Sequence, residues 1–390
     1  MADPKSDPDA AALERVRRAA CALPDVTDAA FSACIDPLGD SRVVFLGVPK
    51  GAERACAAAR ASITLRLVER HGFRILALDA PWVRLMDLDR YVRNRGVWGA
   101  SRMVGAGIAG EPALRGARSF LQRLRAWNLR RHPDDRAELR GLDIFDPAGL
   151  VPPPGPAPPE AAAEASPEPE EVGSLAAAFA GAQAHGRIRA AFAQACEHGV
   201  DHLDAEQARR ALRGAGRMAR AAQLDRDALF ARRQVEMFTT LVRLLDARGP
   251  GSRAVVWTDL AGAADPCGLS TEIAGVVSMG GLGHDAYGLK AVSVALLGSV
   301  DAAPGGLEPL SDVAAIAAPI AGAARRLGNT GAFWSWRYDP ELAQALDHLS
   351  AGGPLRLTGA FEAAAWLSDG TSAPPAADRG DDVEAYPFLA

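Results

Sequence analysis

A strand–loop–helix–strand pattern near the start of this 390-residue chain constrains its fold more than any other stretch. Residues 42–48 form a short, apolar, β-branched run, which is typical of a strand buried on both faces. Residues 53–70 then carry alanine, leucine and isoleucine at helical spacing, and Gly72 predicts the helix end because glycine adopts positive φ easily. A second apolar run covers residues 75–80. Together these elements predict a pair of parallel strands joined by a right-handed crossover.

This unit also predicts where a functional site lies. In open α/β sheets, ligands bind where loops leave the carboxyl ends of the parallel strands. Those loops are residues 48–53 and residues 79–82, so they are the first candidates for chemistry.

Further apolar runs alternate with segments of helical spacing along the rest of the chain. Strands are predicted at residues 138–145, 253–260, 289–297 and 332–337, and residues 361–367 form either a last strand or one helical turn. Helices are predicted at residues 13–23, 111–131, through most of 174–248, and at 269–279, where the glycine-rich residues 280–283 (GGLG) end the helix. The alternation predicts an α/β fold with a mostly parallel sheet, flanking helices and an inserted helical region.

A proline-, alanine- and glutamate-rich segment makes the clearest break in the sequence, because such a composition cannot build a core. We therefore divide the chain into six parts. They are a disordered N-terminus (1–12), a first part of the α/β domain (13–148), a loop or linker (149–173), a helical insertion (174–248), a second part of the α/β domain (249–375) and a polar tail (376–390).

Composition excludes several classes of partner. The net charge of −5 is small and evenly spread, so we expect neither nucleic acid nor an anionic membrane as a partner. Five cysteines without a CxxC pair predict reduced thiols in a cytoplasmic protein. His198 and His202 are spaced like metal ligands, but they lack a third ligand, so a solvated helix end is favoured. We expect no metal, no cofactor and no membrane span. The sequence contains no feature that indicates an oligomeric state.

Several short stretches follow one another in a characteristic order. They are LGVPKGAE at 46–53, GFRILALDAPW at 72–82, DRYV at 89–92, GLD at 141–143, RQVEM at 233–237, VWTDLAG at 256–262 and FEAAAWLSDGTSAPP at 361–375. Together they resemble the motifs of the erythromycin esterase-like family over residues 42–375. The resemblance implies that family's α/β fold for nearly all of the folded chain.

The resemblance also implies a chemistry, and this chain departs from it. Members of the family open macrolactone esters with a first-loop histidine as general base, supported by acidic residues and by later histidines. Lys50 aligns with the first-loop histidine, and Asp259 and Gly262 align with the later histidines. Asp79 replaces a glutamate of the second strand, and Gln234 replaces an aspartate of the RDxxM helix.

The remaining polar residues define a candidate site. Three are predicted to be catalytic, namely Lys50, Asp79 and Asp259, and four to contact a small-molecule ligand, namely Glu53, Trp82, Arg233 and Asp143. Lys50 acts as a base only if burial lowers its pKa, and otherwise forms an ion pair with Asp79 or Asp259. Those two aspartates either form a carboxylate pair for acid–base work, or Asp79 caps a turn. Arg233 either holds an acidic ligand group or pairs with Asp143.

Three hypotheses about function follow from these residues. The first is a degenerate esterase-like protein that binds a small molecule without hydrolysing it, as a binding or accessory protein. The second is a hydrolase or lyase of a small ester, lactone or natural product with a remodelled Lys/Asp/Arg site. The third is a structural protein that binds a partner through residues 174–248.

Overall fold

The computed structural model describes residues 8–23, 28, 31, 34–49, 52–95, 112–114, 116–144, 202–224, 226–266, 277–298, 331–349 and 357–367. The strands are β1 (Cys21–Leu23), β2 (Val43–Val48), β3 (Ile75–Pro81), β4 (Glu138–Asp143), β5 (Ala254–Asp259), β6 (Ala291–Gly298), β7 (Gly331–Ser335) and β8 (Ala363–Leu367). The α-helices are α1 (Pro8–Ala19), α2 (Glu53–Arg70), α3 (Trp82–Val92), α4 (Arg118–Leu129), α5 (His202–Leu224), α6 (Arg226–Arg248), α7 (Leu260–Ala263), α8 (Met279–Tyr287), α9 (Pro340–Leu349) and α10 (Leu357–Ala360).

The described strands form a single eight-stranded sheet in the order β1-β7-β8-β6-β2-β5-β3-β4. Pairing is parallel from β8 to β4, whereas β7 pairs antiparallel with both β8 and β1. The parallel strands are buried on both faces, which explains why they read as continuous apolar runs in the sequence. The predicted α/β fold with a mostly parallel sheet is confirmed.

The opening unit differs from the prediction in one respect. Strands β2 and β3 are parallel, but they are not neighbours, because β5 lies between them and pairs with both. The register aligns Val43, Ala254 and Ile75 across the three strands. A local strand–helix–strand pattern indicates the direction of two strands, but it carries no information about a third strand inserted from far along the chain.

Two hydrophobic clusters cover the two faces of the sheet. One contains side chains of α2, α3 and α4, and the other contains side chains of α1, α6, α7, α8 and α9. Helix α6 contributes Met237, Leu241, Leu244 and Leu245, all of them buried, to the second cluster. The helical region around α6 therefore shares its core with the sheet.

Three local predictions were wrong. Helix α1 begins inside the segment predicted to be disordered and ends before β1, so residues 13–23 are not one helix. Helix α4 begins at Arg118, later than predicted. Gly280, Gly281 and Gly283 lie inside α8 rather than after a helix, because this helix packs closely on its neighbours. A Cβ at Gly280 would lie 1.9 Å from the carbonyl oxygen of Ala263.

Other predictions agree with the structure or fall outside the part it describes. Helix α2 covers residues 53–70 as predicted, and Gly72 follows it with φ of 72°. Residues 363–367 form a strand, which settles the alternative of a helical turn. The segments 149–173 and 376–390 lie outside the described residues.

Two observations concern membranes and metals. No helix in the described part of the chain has both the length and the apolarity needed to cross a bilayer. Within the same ranges, no group of three or more histidine, cysteine, aspartate or glutamate side chains is arranged to hold a metal ion.

Candidate functional site

A cluster of polar side chains lies where β3, β4 and β5 end. Asp79 of β3 lies beside Thr258 of β5, and the Thr258 hydroxyl donates a hydrogen bond to Asp79 Oδ2 at 3.1 Å. Arg233 of α6 donates from Nη2 to Asp79 Oδ1 and from Nε to Asp143 Oδ2, both at 2.6 Å. We call Asp79, Asp143, Thr258 and Arg233 the carboxylate–arginine cluster. Three residues predicted from separate motifs are thus in direct contact.

The position of Arg233 follows from the pattern of α6. Met237 and Leu241 lie one and two turns after Arg233 on the same face of the helix, and both are buried against the sheet. Arg233 continues this face past the ends of the strands, where its side chain remains 33% exposed. The sheet-facing side of α6 therefore directs the guanidinium group to the two carboxylates.

Asp79 has an unusual electrostatic environment. Burial raises its pKa, since only 9% of its side chain is exposed and a charged carboxylate there loses most of its hydration. Arg233 and the Thr258 hydroxyl oppose this shift, whereas the charges of Asp259 and Asp143 reinforce it. The net effect is a raised pKa, so Asp79 keeps a proton to higher pH than an ordinary aspartate.

Asp259 has a structural role at the same edge of the sheet. Its Oδ1 accepts a hydrogen bond from the backbone N–H of Gly262 at 2.6 Å, which caps the start of α7. Asp259 is close enough to raise the pKa of Asp79, so the two aspartates interact electrostatically. Catalysis by Asp259 stays a prediction.

A side chain at Gly262 would require the neighbouring Thr258 side chain to move. A Cβ at this position would lie 2.4 Å from Thr258 Oγ1 and 3.2 Å from Asp259 Oδ1. The resemblance places a histidine here in its family. In this chain, the side chains of Thr258 and Asp259 fill that volume.

Gln234 connects the cluster to helix α8. This residue is fully buried, and its Oε1 accepts a hydrogen bond from the backbone N–H of Met279 at 3.1 Å. Its Nε2 is also buried and has no hydrogen-bond partner among the described residues. Gln234 therefore holds the first residue of α8 against α6 and helps to fix the helix that carries Arg233.

The other predicted site residues have different outcomes. Trp82 begins α3, is 3% exposed and packs its backbone against Gly141, where a Cβ would lie 2.5 Å from Trp82 Cα. Lys50 lies outside the described residues. Helix α2 begins at Glu53, but the side chain of Glu53 lies outside them too. Ligand contacts by Trp82 and Glu53 and catalysis by Lys50 remain predictions.

Two residues near this edge were missed by sequence reasoning. Thr258 is one, although it directly precedes Asp259 in the same strand. Arg60 is the other: it is 1% exposed, and its guanidinium carbon lies 4.8 Å from the centre of the Trp257 ring. Arg60 lies three residues before Ile63, a buried residue of α2, and this helical spacing places both on the same face of the helix.

The histidines of the described residues pair with other parts of the fold. Each of four pairs with a carboxylate: His71 with Asp36, His132 with Asp134, His284 with Glu362 and His348 with Asp9. The fifth, His202, is exposed at the start of α5. None of the four carboxylate partners belongs to the carboxylate–arginine cluster, while His185 and His198 lie outside the described residues.

Comparison with known proteins identifies the fold. The sequence matches no family model and no curated protein. A solved structure of a Bacillus cereus protein aligns with a TM-score of 0.57 at 13% identity, covering 92% of this chain and 97% of that chain. A succinoglycan biosynthesis protein aligns with a TM-score of 0.55 at 10% identity, with the same coverage of 92% and 97%.

The third similar structure is an erythromycin esterase. This esterase, a histidine-to-asparagine mutant in its open conformation, aligns with a TM-score of 0.50 at 15% identity. The alignment covers 87% of this chain and 94% of the esterase. The chain therefore has the fold of an erythromycin esterase, in agreement with the order of its motifs.

Proposed function

We propose that this protein binds a small molecule at the carboxyl ends of β3, β4 and β5 without hydrolysing it, as a binding or accessory protein. The proposal rests on the residues that occupy the two positions aligned with the later histidines of the family. Asp259 caps a helix, and a Cβ at Gly262 would lie 2.4 Å from Thr258 Oγ1, so a side chain there requires Thr258 to move. In the family those histidines support the general base, and neither a helix-capping aspartate nor a glycine supplies an imidazole in their place.

The carboxylate–arginine cluster supports ligand binding. Two carboxylates hold the Arg233 guanidinium in a fixed orientation, and a third of the side chain remains exposed. The pKa of the neighbouring Asp79 is raised by burial, so this carboxyl group holds a proton to higher pH than an ordinary aspartate does. Preorganised polar groups at the end of a parallel sheet are typical of small-molecule sites.

A second function is favoured by one observation. A carboxyl group with a raised pKa is suited to act as a general acid, and Asp79 has this property. The alternative is therefore a hydrolase or lyase of a small ester, lactone or natural product. It would use Lys50, Asp79, Asp259 and Arg233 in place of histidines.

Binding and cleavage can be measured on the same compounds. Erythromycin A, a simple lactone and a p-nitrophenyl ester are titrated into the protein by calorimetry and assayed for cleavage by liquid chromatography with mass spectrometry. We expect binding of at least one lactone without cleavage. Arg233→Lys should weaken that binding about tenfold, since lysine cannot form the paired contacts of a guanidinium.

The matched control is Arg232→Lys on the same helix. Arg232 pairs with Glu236 rather than with the cluster, so this variant should bind as the wild type does. Cleavage above the buffer rate that disappears in Lys50→Ala and Asp79→Asn would replace the binding proposal with the hydrolase. Equal weakening by both arginine variants would argue against a ligand at Arg233.

A further inference from the structure

Two cysteines that play no part in the candidate site lie beside each other at the edge of the sheet. Cys21 is exposed in β1, and Cys34 is half-buried in the segment that follows this strand. The Cys34 thiol lies 4.0 Å from the carbonyl oxygen of Ala22, and it is within hydrogen-bonding contact of the Cys21 thiol. Thirteen positions separate the two residues in the sequence, so the fold brings them together.

Both thiols are held by ordered backbone. Cys21 pairs with Phe333 in the antiparallel ladder between β1 and β7. The backbone N–H of Cys34 donates to the carbonyl oxygen of Phe31 at 3.3 Å, and the side chains of Phe31 and Ile35 are buried on either side of it. The packed structure therefore brings the Cys34 thiol to the strand that carries Cys21. Disulfide formation requires this kind of proximity, because a distant pair can be bridged only by moving the backbone.

We propose that Cys21 and Cys34 form a redox-sensitive pair, which a hydroperoxide converts to an intramolecular disulfide. Cys21 reacts first, because it is the exposed member of the pair. Its thiolate attacks an oxygen of hydrogen peroxide, the O–O bond breaks, and a Cys21 sulfenic acid and hydroxide form. The sulfur of Cys34 then attacks the Cys21 sulfur, the S–O bond breaks, and water leaves with the thiol proton. Two thiols lose two electrons in total, and one peroxide becomes two waters.

The order of the two steps has a physical reason. Burial, the hydrogen bond with the Cys21 thiol and the nearby Asp36 carboxylate raise the pKa of Cys34 to about 11. Cys34 therefore stays a thiol near neutral pH and acts as the resolving cysteine in the second step.

The disulfide would fasten the outer strand of the sheet. In the described part of the chain β1 pairs with β7 alone, and it is only three residues long. A bond from Cys21 to Cys34 closes the loop between β1 and the residues that lead to β2, which restricts the unfolded chain. Oxidation should therefore raise the melting temperature of the protein.

The test uses the whole protein and one equivalent of hydrogen peroxide. Trypsin releases residues 19–42 as a single peptide that contains both thiols, because no lysine or arginine lies between Arg18 and Arg42. After alkylation of free thiols, the oxidised peptide should carry no label and be about 2 Da lighter than the unlabelled reduced peptide. Dithiothreitol should restore the labelling, and peroxide should raise the melting temperature only of protein that forms this peptide.

Three variants make the result specific. Cys21→Ser and Cys34→Ser should each abolish the lighter peptide and the shift in melting temperature. The Cys196→Ser/Cys267→Ser double variant keeps the pair and should behave as the wild type does. Three results would overturn the proposal: a peptide that gains oxygen atoms instead, disulfide-linked dimers through Cys21, or an oxidised protein that melts no higher than the reduced one.

Discussion

The substitution Asp79→Asn tests whether the buried carboxylate is kept at a cost to stability. Asparagine has the same shape, and both hydrogen bonds survive. Its Oδ1 accepts from Arg233, and its Nδ2 donates to the Thr258 hydroxyl, which can turn to accept. The substitution therefore removes the charge of Asp79 with little change in packing.

The magnitude follows from two opposing effects. A hydrogen bond to a charged group contributes about 1.5–3 kcal/mol, whereas the effective penalty for burying an ion is several kcal/mol. Arg233 divides its single charge between Asp79 and Asp143, so it compensates only part of this penalty. The raised pKa of Asp79 points the same way, because it means that burial disfavours the charged form more than Arg233 favours it. We expect the free energy of unfolding of Asp79→Asn near pH 8 to equal that of the wild type or exceed it by up to about 2 kcal/mol.

The pH dependence has a definite sign. Because the folded-state pKa of Asp79 is raised, the folded protein binds more protons than the unfolded chain above the unfolded pKa of about 3.9. Wild-type stability therefore falls relative to the variant as pH rises through this window, by at most about 1.4 kcal/mol per pH unit. Urea unfolding at a series of pH values, followed by circular dichroism, measures the difference.

Asp135→Asn is the matched control. Asp135 pairs with Arg74 at 2.8 Å, and its pKa is lowered by that hydrogen bond. This variant should lose about 0.2–1 kcal/mol at neutral pH and nothing at low pH, since the ion pair is half exposed. The reasoning about Asp79 would be refuted if Asp79→Asn were less stable than the wild type near pH 8 and the loss vanished on acidification.

Two further predictions concern other parts of the fold. Burial opposes a charge on His284, but the hydrogen bond with Glu362 outweighs it and raises the pKa of His284. Glu362→Gln should therefore lower the free energy of unfolding, measured with urea, by about 1 kcal/mol near pH 5.5 and by little near pH 9. Equal losses at the two pH values would contradict the ion pair. Gly280→Ala should lower the free energy of unfolding by at least about 2 kcal/mol, because its Cβ meets the Ala263 carbonyl oxygen. Gly251→Ala is the control and should be nearly neutral in the same assay, because there is open space around Gly251.

The sequence predicted the elements of the fold better than their arrangement. Strands buried on both faces are recognisable as short apolar runs, and helix α2 has both a periodic interior and a glycine beyond its end. Strand β1 has no such signal, because it is three residues long and exposes two of them. Its existence depends on pairing with β7, more than 300 residues later in the chain.

Part of the candidate site was predictable for a similar reason. Carboxyl ends of parallel strands lie at one edge of a sheet, so Asp79 and Asp259 were expected to be near each other. Sequence alone left open whether Arg233 pairs with Asp143. The structure shows that Arg233 contacts Asp143 and also Asp79.

By itself, then, the sequence determined the α/β class, the resemblance to the erythromycin esterases and the loss of histidine at the aligned positions. The folded structure shows that β5 separates β2 and β3, that Asp259 caps a helix and that a side chain at Gly262 would displace Thr258. The physical reason is that local propensity depends on neighbouring residues, whereas strand order, burial of charge and free volume depend on groups that only folding brings together.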